Sequence, residues 1–117
     1  MKQIRFALLR HGVTAWNTEK RIQGRTDISI SPDTADWYRQ HRLPDKWANV
    51  PWFSSPLSRT RETADALGIR TVAAEPAFIE MDWGTWEGEK LSDLRARMGE
   101  DLRDNEDRGW DFRPGEG

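Results

Sequence analysis

The sequence predicts an α/β fold with a largely parallel sheet, on three observations. Short apolar runs alternate with segments of helical spacing, in the order strand, helix, strand, helix, strand, helix. Two of the helical segments open on a Ser-Pro pair, a helix-start signal. The residues of distinctive chemistry fall just after the strands, where such sheets gather their ligands. The length of 117 residues suits one domain.

Each element has its own reason. Ile4 to Leu9 is a short apolar run bounded by charge and reads as a buried strand. Thr14 to Asp27 is polar, carries Gly24 and reads as a loop. Ser31 is placed to cap a helix with Pro32 first and Asp33 in its first turn; that helix should stop near Leu43, before Pro44. Pro51 to Ser54 reads as a second strand. Ser55-Pro56 repeats the start signal for a helix running to Gly68, a good terminator. Thr71 to Ala74, extended by Phe78-Ile79, reads as a third strand. Leu91, Leu94, Met98 and Leu102 form one stripe of a single helix. Residues 103–117 are charged and rich in Gly and Pro.

Composition narrows the function. Ile, Leu, Val and Phe supply only 21 residues, and seven tryptophans make up part of the missing bulk. The expected core is therefore thin. The absence of cysteine excludes disulfides, thiolate metal sites and a cysteine nucleophile, and suits a cytoplasmic location. The longest apolar run, Phe6 to Leu9, is far short of the roughly 20 residues of a membrane span. No signal peptide is read at the N-terminus. Residues 1–60 carry net charge +5 and residues 61–117 net −7. The bases of the first half are scattered, so a nucleic-acid partner is not expected; a few arginines holding a small anion explain them better.

After the first strand come Arg10, His11 and Gly12. After the second come Ser54, Ser55 and Arg59, and after the third Glu80. Guanidinium forks match the oxygens of a tetrahedral anion, so Arg10 with Arg59 reads as a phosphate clamp. The N-terminus of the helix after Ser55 is expected to add backbone N–H groups. Ser54 and Ser55 have no accompanying histidine base, which favours a capping role for Ser55. Asn17 could instead cap a turn, and Gly24 could serve a substrate approach or a simple turn. Arg61, Glu87, Glu89 and His41 are expected on the solvated surface, and Trp83 and Trp86 in the core.

Four ordered segments resemble the histidine phosphatase (phosphoglycerate mutase-like) superfamily. Leu8 to Asn17 resembles its Arg-His-Gly signature, and Arg21 to Asp27 its substrate loop. Ser54 to Ala64 resembles its arginine segment, and Phe78 to Gly88 its acidic segment. Arg113 to Glu116 resembles the start of its Gly-Glu-Ser loop, with Gly117 where Ser is usual. The resemblance implies a three-layer α/β/α fold with a mostly parallel sheet, and a phosphohistidine route that needs no metal or cofactor. His11 would attack phosphorus, and Arg10 and Arg59 would bind the phosphoryl oxygens and lower the His11 pKa. Asn17 would donate a further hydrogen bond, and Glu80 would act as general acid and then general base. Gly24 would stand in the substrate loop.

The family's second catalytic histidine lies downstream of the Gly-Glu-Ser loop, and no matching residue occurs here; His41 falls on a helix too early to replace it. Losing one such donor costs about 10²–10³ in rate. The chain is therefore expected to be the N-terminal portion of a domain, incomplete at its C-terminus. It should show little turnover alone and associate with itself through exposed edges. The expected partner is a small phosphorylated metabolite. A phosphoglycerate mutase shares every residue named, but only 34 residues separate Glu80 from Gly115, a compact spacing that resembles the phosphatase branch. A non-catalytic phosphate-binding or interaction module is the rival of another class.

Overall fold

Thr14 begins the first helical turn, α1 (Ala15–Thr18), and caps it reciprocally with Asn17 in a capping box. The computed structural model describes residues 2–115; Met1, Glu116 and Gly117, the last two in the expected Gly-Glu-Ser loop, lie outside the described residues. Helix α2 (Pro32–Arg39) starts as expected, with Ser31 as cap and Pro32 in its first turn. It ends four residues before Leu43, and Asp45–Ala48 forms a separate turn, α3. Strand β1 (Trp52–Ser54) leads to helix α4 (Ser58–Ala66), and strand β2 (Val72–Ala74) follows.

β1 and β2 pair in parallel, Phe53 opposite Ala73, across the α4 crossover, so the βαβ unit is as expected. The rest of the sheet differs. Ile4 to Leu9 is not a strand: Ile4, Phe6 and Leu8 are 76, 80 and 97% exposed. No described segment pairs with it, and a strand needs a ladder partner for its backbone groups. The third strand stops at Ala74, because Pro76 opens a 3-10 turn, Pro76–Phe78, that Glu75 caps.

The stripe beginning at Leu91 is split. Gly99, at φ 53°, separates α5 (Leu91–Met98) from α6 (Glu100–Glu106), although Leu94 and Leu102 both remain buried. With Trp86 they form the apolar centre, against which Ile22, Trp83, Met98 and Phe112 pack. Trp86 and Trp83 thus belong to the core, as expected, whereas Trp37 and Trp110 are exposed; Trp83 meets Phe112 edge-on at 5.3 Å. Around this centre, Ile22 exchanges backbone bonds with Gly88 and Glu89, tying the polar loop to the acidic segment.

Candidate functional site

Gly12 sets the position of His11. Its N–H donates to Thr63 Oγ1 (2.8 Å), and Thr63 donates to the Arg59 carbonyl (2.7 Å). A Cβ here would come within 2.6 Å of Thr34 Cγ2 and 3.0 Å of Tyr38 Cε2. Only glycine lets this backbone lie against α2 and α4.

The His11 ring is half-buried and its Nδ1 lies 2.7 Å from the Gly12 carbonyl. A carbonyl only accepts, so Nδ1 carries the ring proton and Nε2 keeps its lone pair. Burial pushes the His11 pKa below the ordinary histidine range. The Gly12 bond opposes this, the Arg59 and Arg10 charges add to it, and Glu80 opposes it. Burial therefore leads, ahead of the arginines that the sequence singled out.

Arg59 is 2% exposed on α4. Its Nη1 donates to Thr26 O (2.9 Å) and its Nη2 to Gly24 O (2.6 Å). Its Nε is buried without a hydrogen-bond partner among the described residues. Burial lowers the Arg59 pKa, and the carboxylates of Glu80, Asp27 and Glu87 oppose that.

The start of α4 corrects two expectations. Ser55 is not its cap: the helix opens at Ser58 behind Leu57, and Ser55 Oγ accepts instead from Leu57 N (3.2 Å). The carboxylate of Asp27 caps the helix from the loop, accepting from Ser58 N and Ser58 Oγ at 2.7 Å each. The first helix N–H is thus taken by a carboxylate rather than held for a ligand. The sequence signal is Leu57 itself, a residue with no side-chain acceptor at the cap position.

Arg10 is exposed and shares with His11 a cavity of about 610 Å³, bounded by Asn17 and by Asp33, Trp37 and Tyr38 near α2. Arg59 and Glu80 do not line it. The Asn17 carbonyl oxygen accepts from Thr14 N (3.0 Å), so half of that amide serves the cap. Glu80 is exposed, and its carboxylate accepts from Met81 N at 2.8 Å. It is near enough for its charge to act on both His11 and Arg59. Arg61 and His41 are exposed, and His41 stacks on Trp37 at 3.8 Å.

Of the two glutamates expected on the solvated surface, Glu89 is there and Glu87 is not. Glu89 pairs with Arg97 through two bonds, at 2.5 and 3.0 Å. Glu87 is half-buried and accepts from Arg25 N (3.1 Å), Thr26 N (2.7 Å), Trp83 N (3.0 Å) and the Thr26 hydroxyl. Burial pushes its pKa up, but those bonds together hold it below the ordinary carboxylate range. Its place between the core residue Trp86 and Gly88 was the available signal. A carboxylate beside a core residue needs donors.

The histidine phosphatase superfamily (branch 1) profile matches residues 6–117. A probable phosphoglycerate mutase GpmB of Yersinia pestis (strain Pestoides F) is 37% identical over 95 residues, covering 74% of this chain and 42% of that protein. Thus the chain spans less than half the length of this curated relative. The crystal structure of TTHB049 from Thermus thermophilus superposes with a TM-score of 0.70 at 31% identity, covering 91% of this chain and 58% of that one. A phosphoserine phosphatase from Entamoeba histolytica, in complex with 3-phosphoglyceric acid, gives 0.70 at 28% identity, covering 90% and 53%. With its mixed helices and parallel strand pair, the chain has a phosphoglycerate mutase-like fold and belongs to the histidine phosphatase superfamily.

Proposed function

We propose that the chain carries the phosphoryl-transfer site of a cytoplasmic phosphomonoester hydrolase, with His11 as the nucleophile. One observation carries this reading: the buried Arg59, whose Nε has no partner among the described residues, is near enough for its charge to act on the half-buried His11, whose Nε2 keeps its lone pair. A buried donor without a partner costs about 1–3 kcal/mol, which a phosphoryl oxygen would relieve. In the first step the His11 Nε2–phosphorus bond forms as the ester P–O bond breaks. Arg10 and Arg59 hold the phosphoryl oxygens, Arg10 from the cavity that it shares with His11 and Asn17. Glu80 gives its proton to the leaving alkoxide. In the second step Glu80 takes a proton from water, which attacks phosphorus and frees His11 and inorganic phosphate. The substrate is a small phosphorylated metabolite.

A mutase is the second reading, favoured by the name of the Yersinia relative. Both readings share the phosphohistidine and differ in what accepts the phosphoryl group next. Incubation with a radiolabelled phosphomonoester tests this. We expect acid-labile label that is lost in His11→Ala, with inorganic phosphate as product and, for this chain alone, little turnover. Label returned to a second hydroxyl of phosphoglycerate would establish the mutase. Label indifferent to His11→Ala would overturn both.

A further inference from the structure

We infer that Glu87 is a positioning residue: its carboxylate holds the Gly24–Thr26 loop so that two loop carbonyls fix the Arg59 guanidinium at the phosphoryl site. The inference rests on the phosphoryl reading above and adds to it a residue that touches neither substrate nor reacting atoms.

Its basis is a run of hydrogen bonds through three segments. Glu87 accepts from the N–H groups of Arg25 and Thr26 on one side of the loop. Arg59 donates to the carbonyls of Gly24 and Thr26 on the other. The Gly24 carbonyl and the Arg25 N–H belong to the same peptide unit. That planar unit is gripped at its oxygen by a guanidinium and at its N–H by a carboxylate. Each charge favours the orientation that the other needs, and hydrogen bonds in such a series polarise one another. The Thr26 hydroxyl and Trp83 N–H add two more bonds to the carboxylate, anchoring it to the segment that packs the core.

Gly24 is fitted to this contact. Its φ is +56°, and a Cβ there would come within 2.6 Å of Glu87 Cδ. The loop peptide also stands between the carboxylate and the guanidinium. Glu87 therefore supports Arg59 without presenting a negative charge directly to an incoming anion.

Glu87→Gln tests the inference. The replacement keeps the shape but turns amide hydrogens toward N–H donors, so fewer of the bonds survive. In the wild type the Arg59 Nε–H should give a slowly exchanging proton–nitrogen NMR signal. In Glu87→Gln its exchange should rise by about tenfold, and the dissociation constant for inorganic phosphate should rise by about as much. Circular dichroism and tryptophan fluorescence should stay those of the wild type. Glu87→Asp, which keeps the charge, should recover part of the loss. If Glu87→Gln does not fold, Thr26→Val removes only the hydroxyl bond and should move both readouts less, in the same direction. Unchanged Arg59 exchange in the folded variant overturns the inference. Phosphate binding that Arg59→Ala abolishes would leave the phosphoryl reading standing in that case. Conversely, if the wild type binds no phosphate while Arg59 exchange still answers to Glu87, the phosphoryl reading fails and the positioning role stands.

Discussion

Replacing Gly24 by alanine should be the most damaging single methyl addition in the loop from Arg21 to Asp27. Two costs combine. A left-handed φ of +56° disfavours any residue with a Cβ, by about 1 kcal/mol or somewhat more. The new methyl also meets Glu87 Cδ at 2.6 Å, so the carboxylate must move. Moving it releases its bonds to Arg25 N and Thr26 N. Bonds to a charged acceptor are worth about 1.5–3 kcal/mol each, but Glu87 is only half-buried and water replaces part of the loss. Two bonds at about 1 kcal/mol each, added to the backbone cost, give about 3 kcal/mol. Urea denaturation followed by tryptophan fluorescence measures this directly, since Trp83 and Trp86 sit beside the displaced carboxylate. A loss under about 1 kcal/mol would mean that the loop relaxes freely, and the tight-contact reasoning would be refuted.

Three more outcomes are expected. Because the folded His11 pKa is depressed, the unfolded chain binds more protons, so stability is full above the ordinary histidine pKa. It falls as pH drops through that value toward the folded one. A proton NMR titration should place the His11 midpoint below the ordinary histidine value. Asp27→Ala should cost about 1 kcal/mol in urea denaturation, because it removes the only side-chain cap of α4 among the described residues. Finally, the chain exposes 9059 Å², against about 6,600 Å² expected for its mass. The excess includes Ile4, Phe6, Leu8 and Phe53. Size-exclusion chromatography with light scattering should therefore show mass rising with concentration, and a constant monomer mass would contradict this.

Local chemistry was legible where its causes are local. Ser31-Pro32 marked the start of α2, and the apolar runs at 52–54 and 72–74 marked the two paired strands. The same reasoning misread Ile4 to Leu9. An apolar run shows a wish to be buried, but a strand also needs a neighbour, and pairing is not a local property. Periodicity ran Leu91 to Leu102 into one helix. The stripe continues in space through Leu94 and Leu102, but Gly99 turns the backbone between them. At the site, His11, Arg59 and Glu80 were picked out by their positions after strands. Glu87 and Asp27 were not, because their roles depend on donors 61 and 31 residues away in the chain. A carboxylate's partners at such separations cannot be read from spacing.

The central claim is that His11 and Arg59 form one anion site. Titration with orthovanadate, watched through the His11 ring signals, tests it most directly. The account predicts saturable binding that shifts those signals, leaves His41 unmoved and disappears in Arg59→Ala. Absence of binding to a folded chain, or binding indifferent to Arg59→Ala, would contradict it.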